Sequence, residues 1–348
     1  MSDISITTEG ACGVIRLTRP RAINALTAAM IGTVRDALER WNEDDGVRAV
    51  LIEGEGDRGL CAGGDVRQVR EMALAGETGR VEAFFADEYD MNLVIATYRK
   101  PIIALQHGVV MGGGIGLSSH ARYRIATPNS RFAMPEAAIG FFCDVGVNAI
   151  LYQTSEARAL AFLLSGQIVG AGDAMALGLT DVAVPEAALA EARSRVIEAA
   201  RADEPDTAIS QVIQALAIEP DPAQFCALAD SLAPVFVDTG AGQILDGLHE
   251  RADEGDPGAA ALYGMLGAQC PTSLAAIVLS HRQARRTRDV RAILAADQAL
   301  ATYLAQRADF VEGVRAVLVD KDRMPRWSPE RMDAVDEAAL AAVLAEKE

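Results

Sequence analysis

The chain has 348 residues, 50% of them hydrophobic and 23% charged, a globular balance with room for one large domain or two ordinary ones. Its formal net charge of -17 and pI near 4.7 argue against non-specific nucleic-acid or anionic-membrane partners, but not against a small anionic ligand held by local positive groups. Five scattered cysteines (Cys12, Cys61, Cys143, Cys226, Cys270) form no CxxC, which points to reduced thiols in a cytoplasm, without a disulfide framework or a zinc site.

The opening MSDISITTEG is polar and acidic, unlike a signal peptide. Residues 3–8 and 12–18 alternate as a hairpin about Glu9-Gly10. Thr27 is placed to cap a helix that carries Met30, Ile31, Val34, Leu38 and Trp41 on one face, as core packing. Asp44-Asp45-Gly46 then turns the chain into the apolar strand Ala49-Val50-Leu51-Ile52, a β-helix-β unit with parallel pairing expected. Glycines 54, 56, 59, 63 and 64 build a loop, and Asp65 is placed to cap the helix after it. Residues 80–98 predict a long helix with Phe84, Phe85, Tyr89, Met91, Val94 and Ile95 toward the core. Glu88 lies on it, and spacing alone puts a helix glutamate in solvent.

The stretch from Lys100 to Gly146 organises the rest. A strand over 102–106 breaks into Gly112-Gly113-Gly114 and resumes as a short helix through Ser119. Glycines there let the backbone approach a ligand, and the first helical N–H groups have no intrahelical partner. Glu136 and Asp144 follow in an otherwise apolar run. No charged residue falls between Pro101 and Ala121, but five glycines, Gln106, two histidines and two serines make a membrane span a poor reading.

Beyond it, Ser155 caps a helix to Leu164, Gly172–Leu179 forms a short one, and Asp181–Val184 reads as a strand. After Pro185 the segments are Ala-rich and helical, over 186–201, 207–217, 240–252, 272–284 and 288–307. The expected division is a core over 1–203 and a helical region over 204–348. Arginines 282, 285, 286, 288 and 291 read as one solvated helix face.

No GxSxG elbow and no GxxxxGK[ST] loop occurs. MGGGIG matches GxGxxG only loosely, and Glu136 follows Met134-Pro135 rather than an apolar strand, so a dinucleotide fold is set aside. Metal-ligand spacing is absent. Two glycine-framed helix starts remain, at Gly64 and Gly113, whose N–H groups can grip one carbonyl oxygen. Such a donor is typically worth roughly 3 kcal/mol in the transition state.

Four pieces in this order resemble the crotonase (enoyl-CoA hydratase/isomerase) superfamily: AINALT (22–27), GLCAGGD (59–65), KPIIALQHGVVMGGGIGLS (100–118) and FAMPEAAIGFFCDVG (132–146). The resemblance implies an α/β fold, a crotonase-like spiral of ββα repeats with a C-terminal helical region. It implies that Gly64 and Gly113 bind the thioester oxygen of an acyl-CoA. Hydratases of the family carry a glutamate three positions after the second oxyanion glycine, where this chain has Gly116, and a second one that matches Glu136. Where they have glycine, this chain has Asp144. Glu136 with Asp144 is similar to the 3-hydroxyisobutyryl-CoA hydrolase branch, as are PTSL (271–274), the segment 309–327, and Glu88 as a substrate contact. The resemblance implies that Glu136 and Asp144 are catalytic, Glu136 as nucleophile or general base and Asp144, with Glu88, binding a β-hydroxyl or assisting proton transfer.

By the same resemblance the 21–26 and 61–66 loops hold the CoA adenine and pantetheine, with Arg21 toward phosphate and Ala22, Ala62 and Asp65 lining the path. Coenzyme A is then part of the substrate, with no further cofactor and no metal. The branch usually has proline at Cys143 and small glycines after DVG, where this chain has Val147-Asn148-Ala149. The expected activity is hydrolysis of a short β-hydroxyacyl-CoA. The alternatives are enoyl-CoA hydration or isomerisation, and an idle acyl-CoA-binding protein. Members commonly trimerise through C-terminal helices; the longer tail here leaves room to fold back on its own core and form a smaller homo-oligomer.

Overall fold

The computed structural model describes residues 3–345. Its contacts divide the chain into two compact units. One takes the N-terminal stretch through Gly64, Asp87–Phe132 and Ile168–Ala223; the other takes Asp65–Ala86, Ala133–Gln167 and the chain from Gln224 on.

The first unit is built on strands β1 (Ile4–Glu9), β2 (Cys12–Leu17), β3 (Ala49–Gly54), β4 (Ile102–Gln106), β5 (Val109–Met111), β6 (Tyr123–Ala126), β7 (Arg131–Ala133) and β8 (Val182–Ala183). Six of them form one sheet in the order β1-β2-β3-β4-β6-β8, while β5 and β7 pair separately. β1 and β2 are the expected antiparallel hairpin, with Ile6 opposite Ile15; every later neighbour is parallel. Parallel pairing needs a crossover, and the helix Ala28–Glu43 supplies it between β2 and β3. Thr27 caps that helix by accepting from Met30 N–H at 3.3 Å, and the stripe from Met30 to Trp41 is buried. One sheet face buries Val14, Leu51, Ile103, Leu105 and Ile125 with Val196, Ile209 and Ile213, from the helices Leu189–Ala199 and Pro205–Leu216.

After β8, every described element is helical. Helices stand at Ala241–Asp253, Pro271–Thr287 and Val290–Ala305, as the spacing predicts. Four more are not legible from spacing, two because they are short, Gln224–Ser231 and Ala308–Val314, and two because they are apolar nearly all round, Pro257–Gly267 and Glu337–Ala345. Asp256 accepts from the N–H groups of Gly258 and Ala259 and so fixes the start of one of them. The basic run is not one solvated face. Arg282 pairs with Glu156 at 3.0 Å and Arg285 donates to Thr154 O at 3.1 Å, leaving Arg286, Arg288 and Arg291 exposed. Among the described residues, no single helix is long and apolar enough to cross a membrane.

Candidate active site

The two loops that the sequence marks for the ligand lie side by side in the first unit. Pro20–Ala22 form one 3-10 turn, and Ile23 and Asn24 follow with φ of 47° and 55°. Ala62 N–H donates to Ile23 O, and Leu26 N–H to Gly63 O, both at 2.9 Å. Arg21, Ala22 and Ala62 are exposed along this seam. The loop is held by Asn24, which pattern reading passes over. Its buried amide donates to Glu55 O and Gly59 O at 3.1 Å each, and its carbonyl accepts from Arg19 N–H at 2.9 Å. A left-handed residue inside an apolar segment favours asparagine, and that is the signal that could have found it.

The second loop crosses β5. Cys61 N–H donates to Val109 O at 3.1 Å, and Met111 N–H returns to Cys61 O at 3.0 Å. Gly114 packs so closely that a Cβ there would collide with Cys61 O. A Cβ on Gly113 would lie 2.5 Å from Glu88 Oε1 and 3.1 Å from the Gly64 nitrogen. Thus Gly64, Gly113 and Glu88 converge on one point, and only glycine fits at 113 without displacing a neighbour. Gly113 opens the helix Gly113–Ser119, where an N–H has no intrahelical acceptor. Among the described residues, neither its N–H nor that of Gly64 donates to a backbone carbonyl. Two such donors beside each other can receive a carbonyl oxygen as it gains charge.

Glu88 is 3% exposed, so the solvent-facing expectation is wrong: its helix, Thr78–Ala96, turns this face inward. One turn on, Asn92 is fully buried, and neither of its amide atoms is bonded among the described residues. Its i+4 spacing from Glu88 is the signal that sequence reading missed. Asp65 does stand at the start of the helix Val66–Leu74, in the second unit, but its side chain makes no capping bond, contrary to expectation.

Glu136 and Asp144 belong to the second unit and are 8% and 5% exposed. Glu136 opens a 3-10 turn, Glu136–Ile139, that closes with Phe141 N–H on Glu136 O at 3.1 Å. C-terminal segments clamp this turn. Cys270 N–H donates to Ala137 O at 3.1 Å, just ahead of the helix Pro271–Thr287. A Cβ on Gly140, at φ 71°, would collide with Asp309 O, and one on Gly313 with the Ile139 backbone. Phe141 stacks on Phe85 with centroids 5.1 Å apart and tilts against Phe310. Cys270, just ahead of segment 271–274, and residues 309–313, at the start of segment 309–327, therefore hold the Glu136 turn.

Asp144 starts a tighter feature. Val145 and Gly146 have φ of 54° and 68°, and Val147 N–H returns to Asp144 O at 3.1 Å. Two central residues of positive φ are the mark of a type I′ turn. A β-branched residue there is strained by roughly 1–2 kcal/mol, so the surroundings must hold it.

A family model described as enoyl-CoA hydratase/isomerase matches residues 12–344. The chain belongs to the enoyl-CoA hydratase/isomerase family. Mitochondrial 3-hydroxyisobutyryl-CoA hydrolase of Danio rerio is 33% identical over 348 residues, covering 97% of this chain and 87% of that one. The Homo sapiens protein of the same name is 30% identical, with the same coverage. Among solved structures, carnitinyl-CoA dehydratase from Mycobacterium thermoresistibile superposes with a TM-score of 0.90 at 32% identity, over 99% of this chain and 96% of that one. An enoyl-CoA hydratase from Rhodobacter sphaeroides 2.4.1 gives 0.85 at 34% identity, over 99% and 97%. The fold is the crotonase fold with a C-terminal helical region.

Within this enoyl-CoA hydratase/isomerase chain, the departures from the family pattern have local reasons. Gly116 is buried in the helix that Gly113 opens and brings no carboxylate there. Asn148, just after the DVG turn, is buried; it donates to Ser280 Oγ at 3.2 Å and its carbonyl lies 2.8 Å from His281 Nδ1. Burial and two nearby arginines hold that imidazole down at about 3, so it is neutral and donates from Nδ1 to Asn148. Cys143 Sγ lies 3.4 Å from Leu163 O. Burial first, and then the Glu136 and Asp144 charges, push its thiol well above the ordinary range. A buried thiol held protonated is a poor nucleophile, which speaks against that role for Cys143.

Proposed function

We propose that this chain hydrolyses the thioester of a short β-hydroxyacyl-CoA, with 3-hydroxyisobutyryl-CoA, a valine-breakdown intermediate, as the first substrate to test. The reading is carried by the pair of positions 116 and 144. Glycine stands at 116, where hydratases carry a water-holding glutamate, and a buried aspartate stands at 144, where they carry glycine. The relatives named as 3-hydroxyisobutyryl-CoA hydrolases support it at 30–33% identity.

In the proposed mechanism the Gly64 and Gly113 N–H groups grip the thioester oxygen. As the carbonyl carbon becomes tetrahedral, that oxygen takes up negative charge, and both donors gain strength. Glu136 either attacks the carbon, giving an anhydride that water then opens, or takes the proton of an attacking water. Both routes expel the CoA thiolate, which leaves as the thiol, and release the free acid. Asp144, with Glu88, recognises the β-hydroxyl. The exposed seam of residues 21–26 and 61–66 takes the CoA moiety, with Arg21 toward phosphate, so coenzyme A arrives with the substrate. The proposed setting is a reducing cytoplasm, supported by five buried free thiols.

A second reading has one specific observation behind it. Glu88 lies beside Gly113, and a carboxylate there would replace the one absent at 116 and let the chain hydrate an enoyl-CoA. One experiment separates the two. The purified protein is given 3-hydroxyisobutyryl-CoA and, separately, crotonyl-CoA, while free thiol and enoyl absorbance are followed. The hydrolase reading expects fast thiol release from the first and little loss of absorbance from the second. The reverse pattern establishes the hydratase.

A further inference from the structure

Asp297 lies on the helix Val290–Ala305, 1% exposed, with no role in the chemistry just described. Its Oδ2 accepts from Gly146 N–H at 2.8 Å. That amide belongs to the second central residue of the Asp144–Val147 turn. The ring-closing bond of the turn uses Val147 N–H, so the turn leaves Gly146 N–H without an internal acceptor. A helix distant in sequence thus supplies the acceptor that an unfavourable valine-containing turn needs. Asp297 Oδ1 is buried and has no partner among the described residues.

We propose that Asp297 is the positioning residue of the Asp144 turn: by accepting from Gly146 N–H it pins the turn and so fixes where the Asp144 side chain presents itself to the β-hydroxyl. The proposal rests on the assignment of Asp144 above. Neutrality follows from the surroundings. Burial is the main effect and the Asp144 charge adds to it, so the Asp297 carboxyl is pushed well above the usual carboxylate range against the single opposing bond from Gly146. A charged Asp297 would repel the group it positions. A neutral one keeps the acceptor for Gly146 without that repulsion.

Three variants test this. Asp297→Ala and Asp297→Leu both remove the acceptor, the second without opening a cavity; Asp297→Asn keeps a neutral acceptor. The first readout is hydrogen exchange at the Gly146 amide, which needs no substrate. Exchange should quicken in the Ala and Leu variants and stay as in wild type in Asn. The second is kcat/KM for CoA release from 3-hydroxyisobutyryl-CoA and from isobutyryl-CoA. Ala and Leu should lose up to about a hundredfold on the hydroxylated substrate, through misplacement of a recognising group. They should stay within about threefold on the other, and Asn should track wild type on both. Unchanged exchange in Ala and Leu overturns the anchor. An equal loss on both substrates, or an Asn variant as impaired as Ala, overturns the positioning role. A wild type with no preference between the substrates overturns the Asp144 assignment itself and this role with it. That outcome is recognised from the wild type alone, while the exchange data still decide the anchor.

Discussion

Gly64 and Gly113 are placed by neighbours within the first unit, by backbone bonds that their own loops make: Cys61 to Val109, Met111 to Cys61, Leu26 to Gly63. Glu136 and Asp144 are placed by residues far along the chain: Cys270, Asp309 and Gly313 for one, Asp297 for the other. The difference follows from what each part offers. A backbone donor needs only a path for the main chain, and glycine spacing writes that path into a short window. A buried carboxylate needs its surroundings built, so its position depends on elements that only the complete fold supplies. The loops should therefore respond to single atoms added locally, and the carboxylates to changes made at a distance.

The largest effect is expected at the chemistry. Glu136→Gln should lower kcat for thioester cleavage by at least roughly a hundredfold, with CoA affinity little changed. Turnover close to wild type would remove Glu136 from the mechanism. Next comes the local test of the loops. Gly113→Ala places a Cβ 2.5 Å from Glu88 Oε1 and 3.1 Å from the Gly64 nitrogen, so one methyl disturbs all three. Activity should fall about a hundredfold, the scale of one lost oxyanion donor, while circular dichroism and CoA binding stay normal. A fully active variant would assign the donor elsewhere.

The test at a distance is smaller. Gly140→Ala meets both a φ of 71° and the Asp309 carbonyl, and should cost about 1–3 kcal/mol of stability, read as a lower Tm. An unchanged Tm would mean that the 308–314 helix does not clamp the Glu136 turn. The smallest effect is a null one. Burial pushes the Cys12 and Cys61 thiols up to about 12 and Cys270 to about 11, with Cys143 higher still than its ordinary range. At pH 8 these thiols are almost wholly protonated, so a thiol reagent should label them only after denaturation. Rapid labelling of Cys143 in the native protein, with loss of activity, would make it a candidate nucleophile.

Much of this division was legible beforehand. The hairpin, the Thr27 cap, the first crossover and the strand-glycine-helix passage all follow from patterns of period two or 3.6 and from turn residues. Three strands escaped, Val109–Met111, Tyr123–Ala126 and Arg131–Ala133, because three or four residues are too few to show alternation. Among the candidate residues, the glycines and the seam of residues 21–26 with 61–64 were readable, since backbone sites leave compositional marks. Asn24, Asn92 and Asp297 were not. Asn92 and Asp297 stand beside other polar residues on their helices, and what distinguishes all three from surface residues is burial, which depends on contacts remote in sequence. Spacing alone leaves Glu88 in solvent for the same reason, and only the family resemblance marks it as a substrate contact.

The central claim is that Glu136 does the chemistry while Asp144 recognises the substrate. It is tested most directly by the ratio of kcat/KM for CoA release from 3-hydroxyisobutyryl-CoA to that from isobutyryl-CoA, in wild type and in Asp144→Ala. Wild type should favour the hydroxylated substrate. The variant should lose roughly 5- to 150-fold of that preference, the scale of one missing buried polar partner, while keeping its rate on isobutyryl-CoA. If wild type cleaves neither substrate but hydrates crotonyl-CoA quickly, or if Asp144→Ala abolishes both cleavages alike, that division of labour is contradicted.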